Sequence, residues 1–406
     1  MDLVIWEWVS FAARWLHVVT AIAWIGSSFY FVALDLGLRK AAEAPAGVGG
    51  EAWQVHGGGF YHIQKYMVAP ARMPEELTWF KWESYGTWLS GFFLMGVVYY
   101  LGADLLLVDR AVLDMSPTVA IIVSLVALAS GWIVYDLLCK SPIGEDETKL
   151  GIAVYLLLVA EAWALTHVFS GRGAFVHIGA IIATIMTANV FLIIIPNQKK
   201  VVAALIAGQT PDPALGKQAK QRSTHNNYLT LPVVFLMLSG HYPLAFATRW
   251  NWLIVALVII AGASIRHWFN TMHKHEKPPI WTWIVAALCF LAIVALSTIP
   301  AVQTPGKAAA LKPDPALAAR LASPHFTAAR DIVVSRCSMC HAQEPVWAGI
   351  AVAPKGVMLD TDERIAAHAR EIALHSVRTR AMPPGNVTDL GDDERRQLAI
   401  WIASAK

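Results

Sequence analysis

Apolar positions crowd the first 300 residues in long runs, and beyond residue 321 the pattern becomes that of an ordinary soluble chain. Eight runs lie at 9–38, 86–107, 117–139, 150–168, 174–196, 228–247, 250–270 and 279–299. About 20 apolar residues cross a ~30 Å hydrocarbon layer, so each run predicts a membrane-spanning helix. The first is long enough to tilt or to project beyond the bilayer. The sixth contains Pro232, Gly240 and Pro243, which predicts a kinked or partly unwound helix. The start, Met1-Asp2-Leu3-Val4-Ile5-Trp6-Glu7, lacks the basic segment of a cleaved leader and reads as a helix entering from outside.

Composition agrees. Charged residues make up 15% of the chain, against about 25% in soluble proteins, and 56% of residues are apolar. A disordered chain, a purely soluble enzyme and a nucleic-acid binder with a basic patch are all excluded. The net charge of +3 is too small to imply a polyanionic partner; its placement is more informative. Alternate loops hold Arg39, Lys40, Lys65, Arg72 and Lys81, then Lys140 and Lys149, then Lys199, Lys200, Lys217, Lys220 and Arg222, then Lys274 and Lys277. The opposite loops hold Arg110, Arg172 and Arg249. By the positive-inside bias, both termini lie outside the cytoplasm. Pro300 to Leu321, rich in Pro and Ala, reads as a semi-extended tether.

Four cysteines cannot form a disulfide scaffold. Cys139 and Cys289 stand alone in apolar runs, whereas Cys337-Ser338-Met339-Cys340-His341 has the C-x-x-C-H spacing of covalent haem attachment. A zinc site would need further ligands, and no other Cys exists in this part of the chain. A dithiol oxidoreductase would bring a βαβ pattern, which is absent. The two thiols therefore predict a haem c, with His341 as the proximal iron ligand. By resemblance to small class I-like cytochromes c, the other axial ligand is a downstream Met. Met382, in Arg380-Ala381-Met382-Pro383-Pro384-Gly385, is expected, with Met358 as the competitor. Met ligation raises the reduction potential, suiting electron acceptance. The last helix is expected from Asp392, with Leu398, Trp401 and Ile402 packing on the helix before Cys337.

The expected architecture is all-α: an eight-helix transmembrane bundle (1–300), a linker (301–320) and a small periplasmic cytochrome c domain (321–406). Ionisable residues inside a bilayer are costly and usually functional. His17, one turn beyond Arg14, together with His167, His177 and His241, falls in the periplasmic half. Each reads either as an interface residue bonding a neighbouring helix or, taken together, as ligands of a haem b. Glu161, nearer the middle, reads as a proton relay or as a carboxylic acid bonded to a neighbour.

The cytoplasmic side carries a second polar group. His56-Gly57-Gly58-Gly59-Phe60-Tyr61-His62-Ile63-Gln64-Lys65-Tyr66 combines backbone freedom with aromatic faces and reads as a ligand-approaching or simply flexible loop. The sixth run is introduced by Arg222-Ser223-Thr224-His225-Asn226-Asn227-Tyr228, and the seventh closes with Arg266-His267-Trp268-Phe269-Asn270. These donors suit either a planar anion or helix capping and lipid headgroups.

The eight helices followed by C-x-x-C-H, the His56–Tyr66 segment, Thr224-His225-Asn226-Asn227-Tyr228-Leu229-Thr230-Leu231-Pro232 and Gly240-His241-Tyr242-Pro243 together resemble the membrane-bound, cytochrome c-linked urate oxidases (urate hydroxylases) of bacteria. The resemblance covers the whole chain. It implies oxidation of urate to 5-hydroxyisourate in purine degradation, with electrons passed to the attached haem and no peroxide formed. It also implies residence in the bacterial inner membrane. His225, Asn226, Asn227, Arg266 and His267 are the expected catalytic group. Urate, the lipid bilayer and a downstream periplasmic acceptor, a soluble cytochrome c or a terminal oxidase, are the expected partners; nucleic acid is not. A cytoplasmic urate site would lie a ~30 Å layer away from haem c and would need a relay such as a membrane haem b, whereas a site in the outer half near His17, His167 and His241 would need none. Two other classes fit part of the pattern: an electron-transfer haem subunit of a quinol- or respiratory-chain complex, and a transporter with an appended haem. The transporter would carry charges through its helix centres, where they are sparse here.

Overall fold

The computed structural model describes residues 3–40, 45, 47–66, 70, 73–109, 112–297, 315–348, 350 and 353–404. Arg72, Arg110 and most of the expected tether lie outside the described residues. The chain is predominantly helical, as the apolar runs predict. Among the described residues, five helical stretches are long and apolar enough to cross a membrane: Ile5–Gly37, Pro117–Lys140, Glu147–Thr166, Gly171–Ile206 and Asn251–His273.

Helix α1 (Leu3–Gly37) presents Trp8, Phe11, Trp15, Leu16 and Ile22 outward and packs on α2 (Trp82–Met95) and, more lightly, on the later helix α9 (Asn251–His273). The second apolar run is not one straight helix. It continues from α2 into a wide π-helical stretch, Gly96–Tyr100, and resumes as the one-turn α3 (Ala103–Leu106). The helix α4 (Pro117–Lys140) starts on Ser116, whose hydroxyl accepts the Val119 N–H (3.3 Å), with Pro at the first position. Asp146 caps α5 (Glu147–Thr166) through the N–H groups of Thr148 and Lys149, both at 3.0 Å. Ser170 caps α6 (Gly171–Ala188) and also donates to the Leu106 carbonyl, 2.7 Å away.

Helix α6 is the hub. Phe175, Ile178, Ile181, Ile182 and Ile185 are fully buried against α4, α5 and α8 (Pro213–Ser239). In lipid such packing stabilises through close van der Waals contact rather than transfer from water, so small residues mark the crossings. A Cβ on Gly131 of α4 would lie 2.6 Å from Ile181 and 3.1 Å from Glu161. After α6 the chain widens into a π stretch, Asn189–Ile194, and runs on as α7 (Ile195–Ile206).

The sixth run is misplaced in the sequence reading. Helix α8 begins well upstream, capped by Asp212, and stops at Ser239, so Gly240 to Tyr242 form a turn beyond it. Hydropathy alone missed its first half because that half is polar. Pro232 sits inside α8 without ending it: Gly262 of α9 leaves room for its ring, since a Cβ there would be 2.7 Å from Pro232 Cδ. The apolar α10 (Trp281–Ser297) packs on α9.

The glycine-rich first loop is ordered, and it is the one departure from an all-helical chain among the described residues. Strands β1 (Val48–His56) and β2 (Gly59–Tyr66) pair antiparallel, with His56 opposite Gly59. Gly57 and Gly58, at φ +58° and +81°, make the two-residue turn. Tyr30 donates to Gln54 at 2.6 Å and Lys65 pairs with Asp35, tying the hairpin to α1. This end of the bundle also joins Gly37 to α9, where His275 meets the Gly37 carbonyl at 3.4 Å.

At the opposite end, the last part of the chain forms its own helical module. Helix α11 (Pro315–Leu321), within the expected linker, packs on α13 (Asp362–Ala367) and α15 (Asp392–Ser404). Helix α12 (Phe326–Arg336) meets α15 as the apolar stripe predicts: Phe326 and Trp401 rings lie 5.7 Å apart, and Leu398 and Trp401 are fully buried. Ile365, Ala369 and Ile372, from α13 and the short α14 (Ala369–Ile372), complete this second core.

Candidate functional site

Helix α8 spreads its polar residues in three directions near the hairpin end. Toward α4 and the π stretch, Arg222 donates to Asp136 (2.7 Å) and to Asn189 (3.4 Å), and its guanidinium lies over the Tyr135 ring at 5.0 Å. His225 Nδ1 and the Tyr135 hydroxyl are 2.7 Å apart. Asn189 donates to that hydroxyl (3.0 Å) and to Asn226 (2.9 Å), which itself donates to the Met186 carbonyl at 2.9 Å. Toward α9, Asn227 accepts from Arg266 Nε at 2.8 Å and donates to Asn270 at 3.0 Å. Arg266 also lies over Phe29 of α1, 4.2 Å from its ring centre. Third, Tyr228 reaches His267 Nδ1 at 3.1 Å.

The five expected residues therefore do not converge on one pocket. Asn227 and Arg266 form one buried group with Asn270, His225 and Asn226 join another with Tyr135 and Asn189, and His267 pairs with Tyr228. Asp136 and Asn189, which the sequence reading passed over, could have been found as polar positions inside apolar runs. A cavity of about 400 Å³ opens beside this region, lined by Lys140, Glu145, Lys217, Gln218, Gln221 and Arg222 among others.

The four histidines of the other half are dispersed. His17 Nδ1 lies 3.1 Å from the Thr87 carbonyl, with its ring against Gly91 of α2. His167 is exposed, with Nδ1 2.6 Å from the Trp163 carbonyl. His177 is fully buried, and both its nitrogens are taken, by the Gly173 carbonyl and the Ser124 hydroxyl, each at 2.7 Å. As arranged, His177 offers no nitrogen to an iron. His241 is exposed in the turn after α8. Glu161 presses on Gly131, and its Oε2 is buried with no partner among the described residues.

In the C-terminal module, Cys337 to His341 form one tight turn: the N–H groups of Cys340 and His341 both reach the Cys337 carbonyl, at 3.2 and 2.9 Å. Both thiols are free, and burial pushes that of Cys337 up to about 11. His341 Nδ1 lies 2.9 Å from the Val357 carbonyl, and Nε2 has no partner among the described residues. Burial holds this imidazole below its ordinary pKa, outweighing the Val357 bond, and His368 adds to the effect. A neutral ring with Nδ1–H anchored is the form that binds iron through Nε2. Half-buried Met382 sits in a loop held by Arg395, which donates to the Met382 carbonyl (3.1 Å), the Ser376 carbonyl and Asn386 (3.0 Å). These residues fit a covalently held haem.

No curated protein and no solved structure matches the chain. The model of one protein family, described as Urate oxidase N-terminal, does match, across residues 3–297. That stretch takes in every helix from α1 to α10, together with all three polar groups of α8, and the chain belongs to the urate oxidase N-terminal family.

Proposed function

We propose that the chain is a membrane-bound, cytochrome c-linked urate oxidase. Urate and water yield 5-hydroxyisourate, two protons and two electrons, and the electrons leave through the chain's own C-terminal module rather than to oxygen. One observation carries the reading: a single polypeptide joins the family's membrane domain to Cys337-x-x-Cys340-His341, with the imidazole already anchored on Val357. Cys337 and Cys340 would take the thioether links, with His341 and Met382, or Met358 in its place, as axial ligands. Bound there, haem c supplies a one-electron acceptor that a periplasmic cytochrome c or terminal oxidase re-oxidises.

The apolar stretches support eight crossings in a bacterial inner membrane, with both termini periplasmic. Lys140, Lys149, Lys217 and Lys274 lie toward the hairpin end, which the positive-inside bias makes cytoplasmic. Urate is planar and a monoanion near neutral pH. Binding it at Asn226, Asn227 or Arg266 would break hydrogen bonds those side chains already make, at about 1–3 kcal/mol for each group left unpaired. In this reading they fix α8 against its neighbours.

The test is a reduced-minus-oxidised spectrum of the purified chain, with and without urate. One c-type haem reduced by urate, without peroxide, is expected. A haem that urate leaves oxidised would favour an electron-transfer subunit; a second, b-type haem would revive the membrane relay.

A further inference from the structure

The end of the bundle nearest the C-terminal module gathers basic side chains from four separate elements. Arg172, at the start of α6, lies beside the buried Tyr99, and its Nε is buried with no partner among the described residues. Arg14 of α1 acts electrostatically on the same tyrosine. His241, in the turn after α8, feels Arg14, Arg172 and Lys355. Gly240 sits between them: a Cβ built there would lie 3.7 Å from Arg172 Nε and 3.9 Å from the Tyr99 oxygen. Neither Arg14 nor Arg172 forms an ion pair with any described carboxylate, although every buried or half-buried arginine at the hairpin end is answered by Asp136, Asn227 or Asn270. An unanswered guanidinium in a low-dielectric setting is costly, and such groups are retained where an anion completes them.

The location matters as much as the charge. Lys355 belongs to the C-terminal module, and the adjacent Gly356 rests on Phe246, with a built Cβ 3.9 Å from its ring. Two residues beyond Lys355 is Val357, whose carbonyl anchors His341. Consecutive Cα atoms are 3.8 Å apart, so Lys355 is within about 8 Å of chain from the anchor of the expected iron ligand. A substrate held here needs no relay across the hydrocarbon layer.

We propose that Arg172, Arg14, His241 and Lys355, with Tyr99, form the binding site for a planar, carbonyl-rich organic monoanion, at the junction between membrane domain and C-terminal module. Resting on the functional reading above, the inference identifies that anion as urate. Half-buried Arg172 supplies the charge and directed N–H donors, with the Tyr99 hydroxyl beside it. Arg14 and Lys355 add positive charge, and Gly240 places no side chain between Arg172 and Tyr99.

The experiment uses the full-length purified chain in detergent and measures urate binding by equilibrium dialysis. Arg172→Gln is expected to weaken binding at least about tenfold, the order seen when one partner of a buried charged pair is truncated. Lys355→Asn, which keeps the left-handed backbone at φ +57°, is expected to weaken it a few-fold and to flatten its salt dependence. Lys217→Gln, in the cavity at the far end, is expected to leave binding unchanged. Undiminished binding in Arg172→Gln and Lys355→Asn, or a loss in Lys217→Gln instead, would overturn the site. If the Arg172 and Lys355 variants shift the haem spectrum and potential without urate while binding is intact, the cluster serves haem carboxylates and the proposal falls. Tight binding without urate-driven haem reduction would refute the enzymatic reading and leave the anion site standing.

Discussion

The carbonyl of Val357 holds His341 Nδ1 at 2.9 Å, and the neighbouring Gly356 rests on Phe246 of the membrane domain. One short loop therefore anchors the expected iron ligand and touches the domain from which electrons would come.

Replacing His341 with Ala is expected to abolish haem incorporation, read by pyridine haemochrome. Replacing Met382 with Ala should leave haem attached and lower its potential in a redox titration. A potential that does not move would assign the ligand to Met358.

Arg395 is 6% exposed and donates to two carbonyls and to Asn386 within the Met382 loop. Arg395→Leu leaves those buried acceptors unsatisfied, at an expected cost of about 2–4 kcal/mol. Thermal unfolding of the full chain, followed in the haem Soret band, should show the module melting earlier than in the native protein.

Gly262→Val forces a side chain into the Pro232 ring. Overpacking of this kind costs about 1–3 kcal/mol. Lower thermal stability in detergent is expected, with haem content unchanged; native stability would show that α8 and α9 can separate freely.

Asp360 accepts from the Gln343 N–H (2.8 Å) and from Arg364 (2.7 Å). Burial pushes its carboxyl up, but the bonds to Arg364 and Gln343 prevail and hold it below its ordinary value. A depressed carboxylate pKa stabilises the fold above the unfolded value of about 3.9 and loses that contribution as pH falls through the folded one. Acid unfolding of the module should therefore begin at higher pH in Asp360→Asn, whose stability lacks this component at neutral pH already. Superimposable acid transitions would contradict the prediction.

The hairpin shows where sequence reading stopped. Gly57-Gly58 was visible as a flexible stretch, but that both residues take positive φ depends on β1 finding β2 and on Tyr30 and Asp35 receiving the pair. Helix α8 shows the same limit. Hydropathy located Leu229 to Ser239 but could not show that the polar residues from Pro213 onward continue the helix, because their satisfaction comes from α4, α9 and the π stretch.

By itself, the sequence determined the helical, membrane-compatible first part, the more polar second part, the C-x-x-C-H turn and the Leu398–Trp401 stripe. Those follow from local period and spacing, which a one-dimensional pattern carries. Only the tertiary structure decided which polar residues meet: His225 with Tyr135, Asn227 with Arg266, and Arg172 beside Tyr99 with no carboxylate partner among the described residues. Such pairings join residues tens of positions apart, and the energy of a buried charge depends on neighbours that only the fold brings together.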